Sequence, residues 1–307
     1  MFPTMKHLSE IFNTKQKTFS LELFPPKTSE GYEKLLSTID LLAKLRPDFI
    51  SCTYGAGGGN RDKTLDIVEH IQDTHSIPAL AHLTCVGNTK EQITSILDDI
   101  KRRDIQNILA LRGDPPADNP TWQPTHDHFH YAYELCAFIH ENDTKHFCIG
   151  VAGFPEGHVL CPDKQRDAQY LKMKLDAGAS FVITQLFFDN KDYFTYVERL
   201  RALGIQNPIL PGILPITDYQ GVIRFCEKCG TKIPKEVHKR FAPIAHDKDA
   251  VLQEGIHFCV DQCVELLKRG APGIHFYPLN KIHPLDIILP KIKELQWKSC
   301  SYLPCYS

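Results

Sequence analysis

The sequence lacks the features that would assign it to a membrane, to nucleic acid or to secretion. No apolar run approaches the roughly 18 residues needed to cross a bilayer. The first residues, MFPTMKHLSEIF, contain no continuous apolar segment of a signal peptide. Runs of Lys and Arg are absent and the formal net charge is only -2, so bulk charge attracts no polyanion. We therefore expect neither a membrane nor a nucleic-acid partner.

A disulfide framework is also missing, as are linkers and short repeats. The 11 Cys residues are scattered, and several fall inside apparent strands and helices, such as Cys52, Cys85, Cys136 and Cys148. This distribution is typical of reduced thiols in a cytoplasmic protein. Because no low-complexity segment divides the chain, we expect residues 1–307 to form a single domain.

What the sequence does contain is a regular alternation of short apolar runs and amphipathic segments. The predicted strands are 18–24, 49–55, 78–85, 107–113, 147–154, 181–188, 208–214 and 273–279. Helical patterns lie between them, for example at 31–45, 62–74, 89–103, 163–177 and 193–203. This order predicts an α/β fold, a (β/α)8 TIM barrel, with a doubly wound open sheet as the alternative. The segment 231–270 is long enough to hold an extra helix.

A carboxylate interrupts the first predicted strand, FSLELFPPK. Strand alternation puts Phe19, Leu21 and Leu23 on the helix-facing side, so Glu22 points into the barrel near its catalytic end. Glu22 is then either a structural carboxylate with a basic partner or a functional group. If its apolar sequence neighbours surround it, burial raises its pKa and keeps it protonated.

Polar side chains follow most of the other predicted strands as well. They are Thr53, Tyr54, His82, Arg112, Asp114, His158 and Gln185, with Gly113 among them. Because the carboxyl ends of barrel strands meet at one face, polar groups at successive ends predict a lined cavity.

Three shorter motifs carry weaker signals. YGAGGG, at 54–59, does not match a dinucleotide or phosphate-loop pattern and favours a flexible turn. CEKC, with Cys226 and Cys229, lacks a second pair at metal spacing and favours two helical thiols. HDHFH, at 126–130, has no matching carboxylate pattern nearby and favours solvated histidines. We therefore predict no metal at these motifs.

Eight segments together resemble the methylenetetrahydrofolate reductase family, in that family's order. They are LELFPPK, TYGAGGGNRDKT, HLTCVGNT, NILALRGDPP, GFPEGH, DAGASFVITQLFFD, PGILPI and GIHFYPLNK. The resemblance runs from about residue 18 to 282 and fits the short bacterial type, which has the catalytic domain alone.

The resemblance implies a fold, a cofactor and a reaction. The fold is a (β/α)8 barrel that holds FAD noncovalently and takes hydride from NADH or NADPH. The substrate is 5,10-methylenetetrahydrofolate, reduced to 5-methyltetrahydrofolate in one-carbon metabolism and methionine synthesis. Ping-pong transfer and a homo-oligomer, a dimer or tetramer, are implied as well.

The resemblance also carries site residues onto this chain. Glu22 matches the general acid, Asp114 a carboxylate beside flavin and folate, and Gln185 a contact to the pterin. Phe225 matches an aromatic that packs against either substrate, and Lys281 stands at a further substrate contact. For FAD the matching positions are Thr53, Tyr54, His82, Arg112, Gly113, Asp114, Tyr131, Ala132, Phe154, His158, Asp167 and Lys174.

The chain departs from the family pattern at a few positions. Phe154 stands where Tyr is common, and Lys281 where Arg is usual, so a hydroxyl contact and a bidentate fork are missing. Tyr170 and Met173 occupy helix positions that are more polar in related enzymes. Two alternatives stay open: another barrel flavoprotein of the proline-dehydrogenase kind, and a folate-binding subunit without catalysis.

Overall fold

The computed structural model describes residues 7–54, 61–115, 119, 121–143 and 145–300. Most of the YGAGGG turn lies outside the described residues. The strands are β1 (Thr18–Leu23), β2 (Phe49–Cys52), β3 (Ala79–Thr84), β4 (Asn107–Leu111), β5 (Cys148–Gly153), β6 (Phe181–Leu186), β7 (Ile209–Ile213) and β8 (Gly273–Phe276). All pairs are parallel, and β8 pairs with β1 to close the barrel in the order β1 to β8. The predicted (β/α)8 barrel is confirmed.

Helices connect successive strands on the outside of this barrel, and one further helix precedes β1 and another follows β8. They are α1 (Leu8–Thr14), α2 (Ser29–Ala43), α3 (Arg61–His75), α4 (Lys90–Arg102), α5 (Ala132–Asn142), α6 (Lys164–Asp176), α7 (Asn190–Ala202), α8 (Tyr219–Cys229), α9 (Lys235–Phe241), α10 (Lys248–Lys268) and α11 (Leu285–Cys300). The long segment before β8 holds α9 and α10, so the expected extra helix is present. Within the described ranges, none of these helices combines the length and apolar character needed to cross a membrane.

Local sequence explains where these helices begin and end. In α4 the apolar stripe is buried, and Thr89 forms a capping box in which its hydroxyl accepts from the Gln92 backbone N–H. Two predicted helix-ending glycines, Gly178 and Gly204, have φ values of 107° and 81°. Such left-handed backbone favours glycine and turns the chain into the next strand.

Strand alternation sorts the core into two layers. Leu21 and Leu23 face outward and pack in one cluster with Leu35, Ile39 and Leu42 of α2. The inner layer is a separate cluster, and Leu8 and Ile11 of the short helix α1 belong to it. The inner cluster contains Leu8, Ile11, Phe49, Leu80, Leu109, Cys148, Phe181, Ile183 and Leu210. Because several of these residues begin their strands, α1 closes the barrel at the end where the strands start.

Candidate active site

Glu22 points into the barrel from β1, as strand alternation predicts. Its Oε2 lies 3.4 Å from Nε2 of His82 on β3 and 3.6 Å from Nε2 of His275 on β8. The Glu22 side chain is 19% exposed, whereas His82 and His275 are buried. One carboxylate therefore faces two imidazoles and retains a small opening to the cavity.

His275 has its own supporting contacts. Its Nδ1 lies 2.8 Å from the hydroxyl of Ser20, and its ring stacks on Phe49 with the centroids 5.9 Å apart. Tyr277 meets the other side edge-on, and its hydroxyl donates to the Thr184 carbonyl at 2.7 Å. These contacts fix the ring so that Nε2 is directed toward Glu22.

His275 lies in the segment GIHFYPLNK, and no role was predicted for it from the sequence. Alternation contained the signal, because Ile274 and Phe276 join the outer cluster while His275 points inward. A histidine on the inner face of a barrel strand is a candidate functional residue by the same argument that selected Glu22.

The charge environment of Glu22 corrects one expectation. Its pKa is lowered, because the attraction of His82 and His275 outweighs the burial that acts in the opposite direction. We expected a raised pKa from Leu21, Leu23 and Phe24. That expectation was wrong because alternation turns the two leucines toward the helices, and Phe24 is 42% exposed beyond the strand.

Burial and the charge of Glu22 also act on the pKa of two neighbouring groups, His82 and Tyr277. Burial lowers the pKa of His82, although Glu22 acts to raise it. Burial also raises the pKa of Tyr277, and the nearby Glu22 carboxylate adds to this effect. Because the Glu22 carboxylate and the His82 imidazole lie this close, their titrations are coupled. The protonation of Glu22 therefore depends on both groups.

A second group of charges lies around β5 and α6. Burial raises the pKa of Asp167, opposed by Lys174 and His158, and burial lowers the pKa of Lys174. Lys174 donates from Nζ to the carbonyl of Ala152 at 2.6 Å. Burial also lowers the pKa of His158, on which Asp167, Lys174, Arg112 and Asp114 all act electrostatically. The fold thus brings these five predicted site residues together.

Gly113 and Asp114 follow β4 at the same end of the barrel. Gly113 has a φ of 83°, and an added Cβ would lie 2.9 Å from Cβ of Thr84, so only glycine fits without strain. Asp114 is exposed, and its charge acts on both His158 and Cys229. Its backbone turn and exposure leave the carboxylate available to a molecule bound over the barrel.

A small cleft joins Phe154 and Gln185 beside the strand ends. Cys229 of α8 and Val159 also line this cleft. The Phe154 ring meets His158 edge-on at 4.6 Å between centroids, and Gln185 accepts from the Leu186 backbone N–H at 2.9 Å. An aromatic group that follows β5 and an amide group of β6 thus line this cleft together.

Other predicted contacts lie after β2 and at the start of α5. Thr53 donates from its backbone N–H to Leu23 at 2.8 Å, and Tyr54 is half-buried against the outer cluster. Tyr131 is 58% exposed and precedes Ala132, the first residue of α5. Tyr131 is therefore largely exposed at the start of α5, and Tyr54 is partly covered.

Phe225 and Lys281 are further predicted contacts. Phe225 is half-buried on α8 and packs against the cluster around Leu186, while Lys281 is exposed after β8. No contact of either with Glu22 is present in the described part of the chain. Their roles stay predictions.

Two large side chains of α6 are partly exposed to solvent. Tyr170 and Met173 are 44% and 41% exposed. The guanidinium carbon of Arg166 lies 5.7 Å from the Tyr170 ring centroid. A cation therefore lies beside Tyr170, on the helix that carries Asp167 and Lys174.

Two motifs to which no function was assigned lie on α8 and in the segment before α5. Cys226 is buried and Cys229 half-buried on α8, and both thiols are free. His126 is 89% exposed in its side chain, and the HDHFH histidines form no group with metal-binding geometry in the described ranges.

A barrel that closes on itself and gathers acid, imidazole and amide groups at the ends of its strands has the architecture of an enzyme. Comparison with known proteins gives the family. The chain belongs to the methylenetetrahydrofolate reductase family, which it matches over residues 7–293.

Individual relatives agree with this assignment. Methylenetetrahydrofolate reductase (NADH) 1 of Arabidopsis thaliana is 39% identical over 274 residues, covering 86% of this chain and 46% of the relative. The 5,10-methylenetetrahydrofolate reductase of Pectobacterium carotovorum is 36% identical over 262 residues, covering 85% of each. The chain thus spans about half the length of the plant relative.

Solved structures support the fold alone. An uncharacterized protein from Clostridium thermocellum, described as binding two copies of 5-methyl-5,6,7,8-tetrahydrofolic acid, aligns with a TM-score of 0.62 at 13% identity. The alignment covers 95% of this chain and 99% of that one. At 13% identity this similarity establishes the barrel architecture alone. The ligand of this chain has to be inferred from its own site residues.

Proposed function

We propose that this protein reduces 5,10-methylenetetrahydrofolate to 5-methyltetrahydrofolate, using NADH or NADPH and a noncovalent FAD. The observation that carries the proposal is the Glu22 carboxylate facing His82 and His275 at the strand ends of a family barrel. The products would feed one-carbon metabolism and methionine synthesis in the cytoplasm. A homo-oligomer and a single catalytic domain over 1–307 belong to the same proposal.

The residues present fit a flavin. Nε2 of His82 is buried, lies 3.4 Å from the Glu22 carboxylate and lacks a hydrogen-bond partner among the described residues. Gly113 permits the turn after β4, where an added Cβ would meet Thr84. FAD, when bound, would supply the hydride chemistry between nicotinamide and folate. The residues that would hold it are Thr53, Tyr54, His82, Arg112, Gly113, Asp114, Tyr131, Ala132, Phe154, His158, Asp167 and Lys174.

Glu22 would deliver the proton that opens the five-membered ring of the folate. Nitrogen 10 must leave as an amine, so it needs an acid nearby. The pKa of Glu22 is lowered while its side chain is still 19% exposed to solvent. When substrates cover that opening, loss of water disfavours the anion and moves the pKa upward, toward the value that a general acid requires.

Asp114 and the polar neighbours would position and stabilise the opened substrate. A carboxylate near the cationic carbon formed on ring opening stabilises its positive charge. Gln185, held by its bond to Leu186, would contact the pterin, and Phe225 would pack against folate or nicotinamide in turn. Lys281 would offer a positive charge without a bidentate fork.

The decisive experiment separates the two halves of the reaction with Glu22→Gln. We expect the variant to hold FAD and to be bleached anaerobically by NADH or NADPH at the wild-type rate. Reoxidation by methylenetetrahydrofolate should fall by about 10²–10⁴-fold, the usual contribution of a general acid. Glu33→Gln, on the exposed side of α2, is the matched control.

Three outcomes would contradict the proposal. A colourless protein that gains nothing from added FAD would contradict a flavin enzyme. Reduction by proline in place of nicotinamide would favour the other barrel flavoprotein. Folate binding without turnover in the wild-type protein would favour a noncatalytic subunit.

A further inference from the structure

A cluster of two histidines and one carboxylate lies on the helical layer, outside the site described above. It consists of Asp40 on α2 with His70 and His75 on α3. One ligand atom from each of the three lies within 4.8 Å of the other two. The cluster is unrelated to any motif that the sequence reasoning selected.

The ring nitrogens of this cluster are unusually placed. Nε2 of His70 and Nε2 of His75 are both buried and lack a hydrogen-bond partner among the described residues. Nε2 of His75 lies 3.1 Å from Oδ1 of Asp40, although the contact does not have hydrogen-bond geometry. Buried ring nitrogens without partners are costly, and a metal ion would satisfy both.

The geometry suits a tetrahedral ion. Zinc bonds of about 2.0–2.1 Å put neighbouring ligand atoms roughly 3.3 Å apart. The His75–Asp40 separation of 3.1 Å already matches that edge. One ligand atom of each residue lies within 4.8 Å of the other two, so His70 has to move closer for all three to bind one ion.

A second layer of contacts supports His70 and His75. Nδ1 of His70 lies 3.2 Å from the hydroxyl of Thr74. With a metal on Nε2, Nδ1 carries the proton and donates to Thr74, which fixes the tautomer. His75 ends α3, and the following Ser76 donates its backbone N–H to Gln72 at 3.0 Å, so the helix end is held.

The position in the fold also favours a cation. Asp40 lies in the last turn of α2 and His75 is the last residue of α3. Helix C-termini carry partial negative charge that stabilises a cation. In a parallel barrel these termini lie at the end where strands begin, so this cluster is remote from Glu22.

We propose that Asp40, His70 and His75 form a divalent-metal site, with Zn²⁺ as the best-suited ion, that ties α2 to α3. Two imidazoles and a carboxylate form a nitrogen-rich donor set that suits Zn²⁺ and Co²⁺. Water occupies the fourth position. The bound ion stabilises the fold and leaves the reaction at the strand ends unchanged.

The test measures Zn²⁺ binding to the chelator-treated, FAD-loaded protein by calorimetry, with Co²⁺ absorption as the second readout. Wild type should bind one ion with a tetrahedral Co²⁺ spectrum and gain thermal stability. Asp40→Asn and His70→Gln should each lose affinity by at least about tenfold, and Thr74→Val by roughly tenfold. Because Asp40 is 58% exposed in its side chain, its substitution leaves folding intact.

The control is His126→Ala, which removes a histidine that is 89% exposed beside Asp127. Its Zn²⁺ affinity should equal that of wild type. Wild-type protein without Zn²⁺ binding would overturn the proposal. So would binding that survives Asp40→Asn and His70→Gln unchanged, or that disappears when the thiols are alkylated, because the ion would then lie on cysteine.

Discussion

His275 is the residue that most directly adjusts Glu22. It lies 3.6 Å from the carboxylate and acts to lower its pKa. Replacing it by Gln removes that interaction, so the pKa of Glu22 rises. If Glu22 acts as an acid, the folate half-reaction is lost as pH rises through this pKa, and His275→Gln should shift that loss to higher pH. Rapid-mixing measurements of folate-driven reoxidation across pH will detect the shift.

The nicotinamide half-reaction serves as the internal control for His275→Gln. It should keep its wild-type pH profile, because Glu22 donates no proton there. Ser20→Ala removes only the hydroxyl that holds the ring at Nδ1, and it should give a smaller shift in the same direction. A pH profile of folate reduction identical to wild type would show that His275 does not act through Glu22.

For single residues, the position of a side chain could be predicted from the sequence better than its pKa. Period-2 alternation correctly put Glu22 inside, because it depends only on neighbours along one strand. Its pKa was wrongly predicted because the groups that set it, His82 and His275, are distant in sequence and meet only across the barrel. The predicted roles of Asp114, Gln185 and Phe225 remain untested by the geometry.

Among the elements, helix α1 closes the barrel opposite the site. Leu8 is fully buried, and its backbone N–H donates to Oδ1 of Asn107 at 2.9 Å. Leu8→Ala deletes buried carbons beneath the inner cluster. We expect a loss of about 2–5 kcal/mol in the free energy of unfolding, as for large-to-small core changes. Denaturant titration gives the value, and turnover under native conditions should be unchanged.

Leu41→Ala is the matched control for α1, since the same side chain on α2 is 42% exposed. This substitution should lower the free energy of unfolding by about 0.5 kcal/mol or less. Equal losses for the two variants would show that α1 does not contribute to the core. A loss of turnover in Leu8→Ala while the protein is still folded would place α1 in the function instead.

Elements were predicted well where their pattern is local. The α4 stripe and the glycines after α6 and α7 are readable from spacing alone. The predicted strands run past the observed ends, since β8 ends at Phe276 and β4 at Leu111. A strand continues only as far as neighbouring strands pair with it. The closure by α1 was missed because its partner Asn107 lies 99 residues away.

For the whole molecule, several buried titratable groups couple folding to pH. Burial lowers the pKa of His7, His82 and His158. The unfolded chain therefore binds more protons than the folded one near the ordinary histidine pKa, and stability falls on acidification. Burial raises the pKa of Glu156, Asp167 and Asp192. These carboxyls act in the opposite direction, but near their lower ordinary values.

Stability should consequently decrease from about pH 7.5 to about pH 6, where histidines dominate the linkage. Urea unfolding with saturating FAD at both pH values measures the decrease. His7 lies beside α1, away from the strand ends, so His7→Asn removes one contribution without touching the cofactor site. Its decrease should be smaller than that of wild type. An unchanged decrease would show that His7 is protonated equally in both states, and a rise in wild-type stability would show that the carboxyls dominate already at this pH.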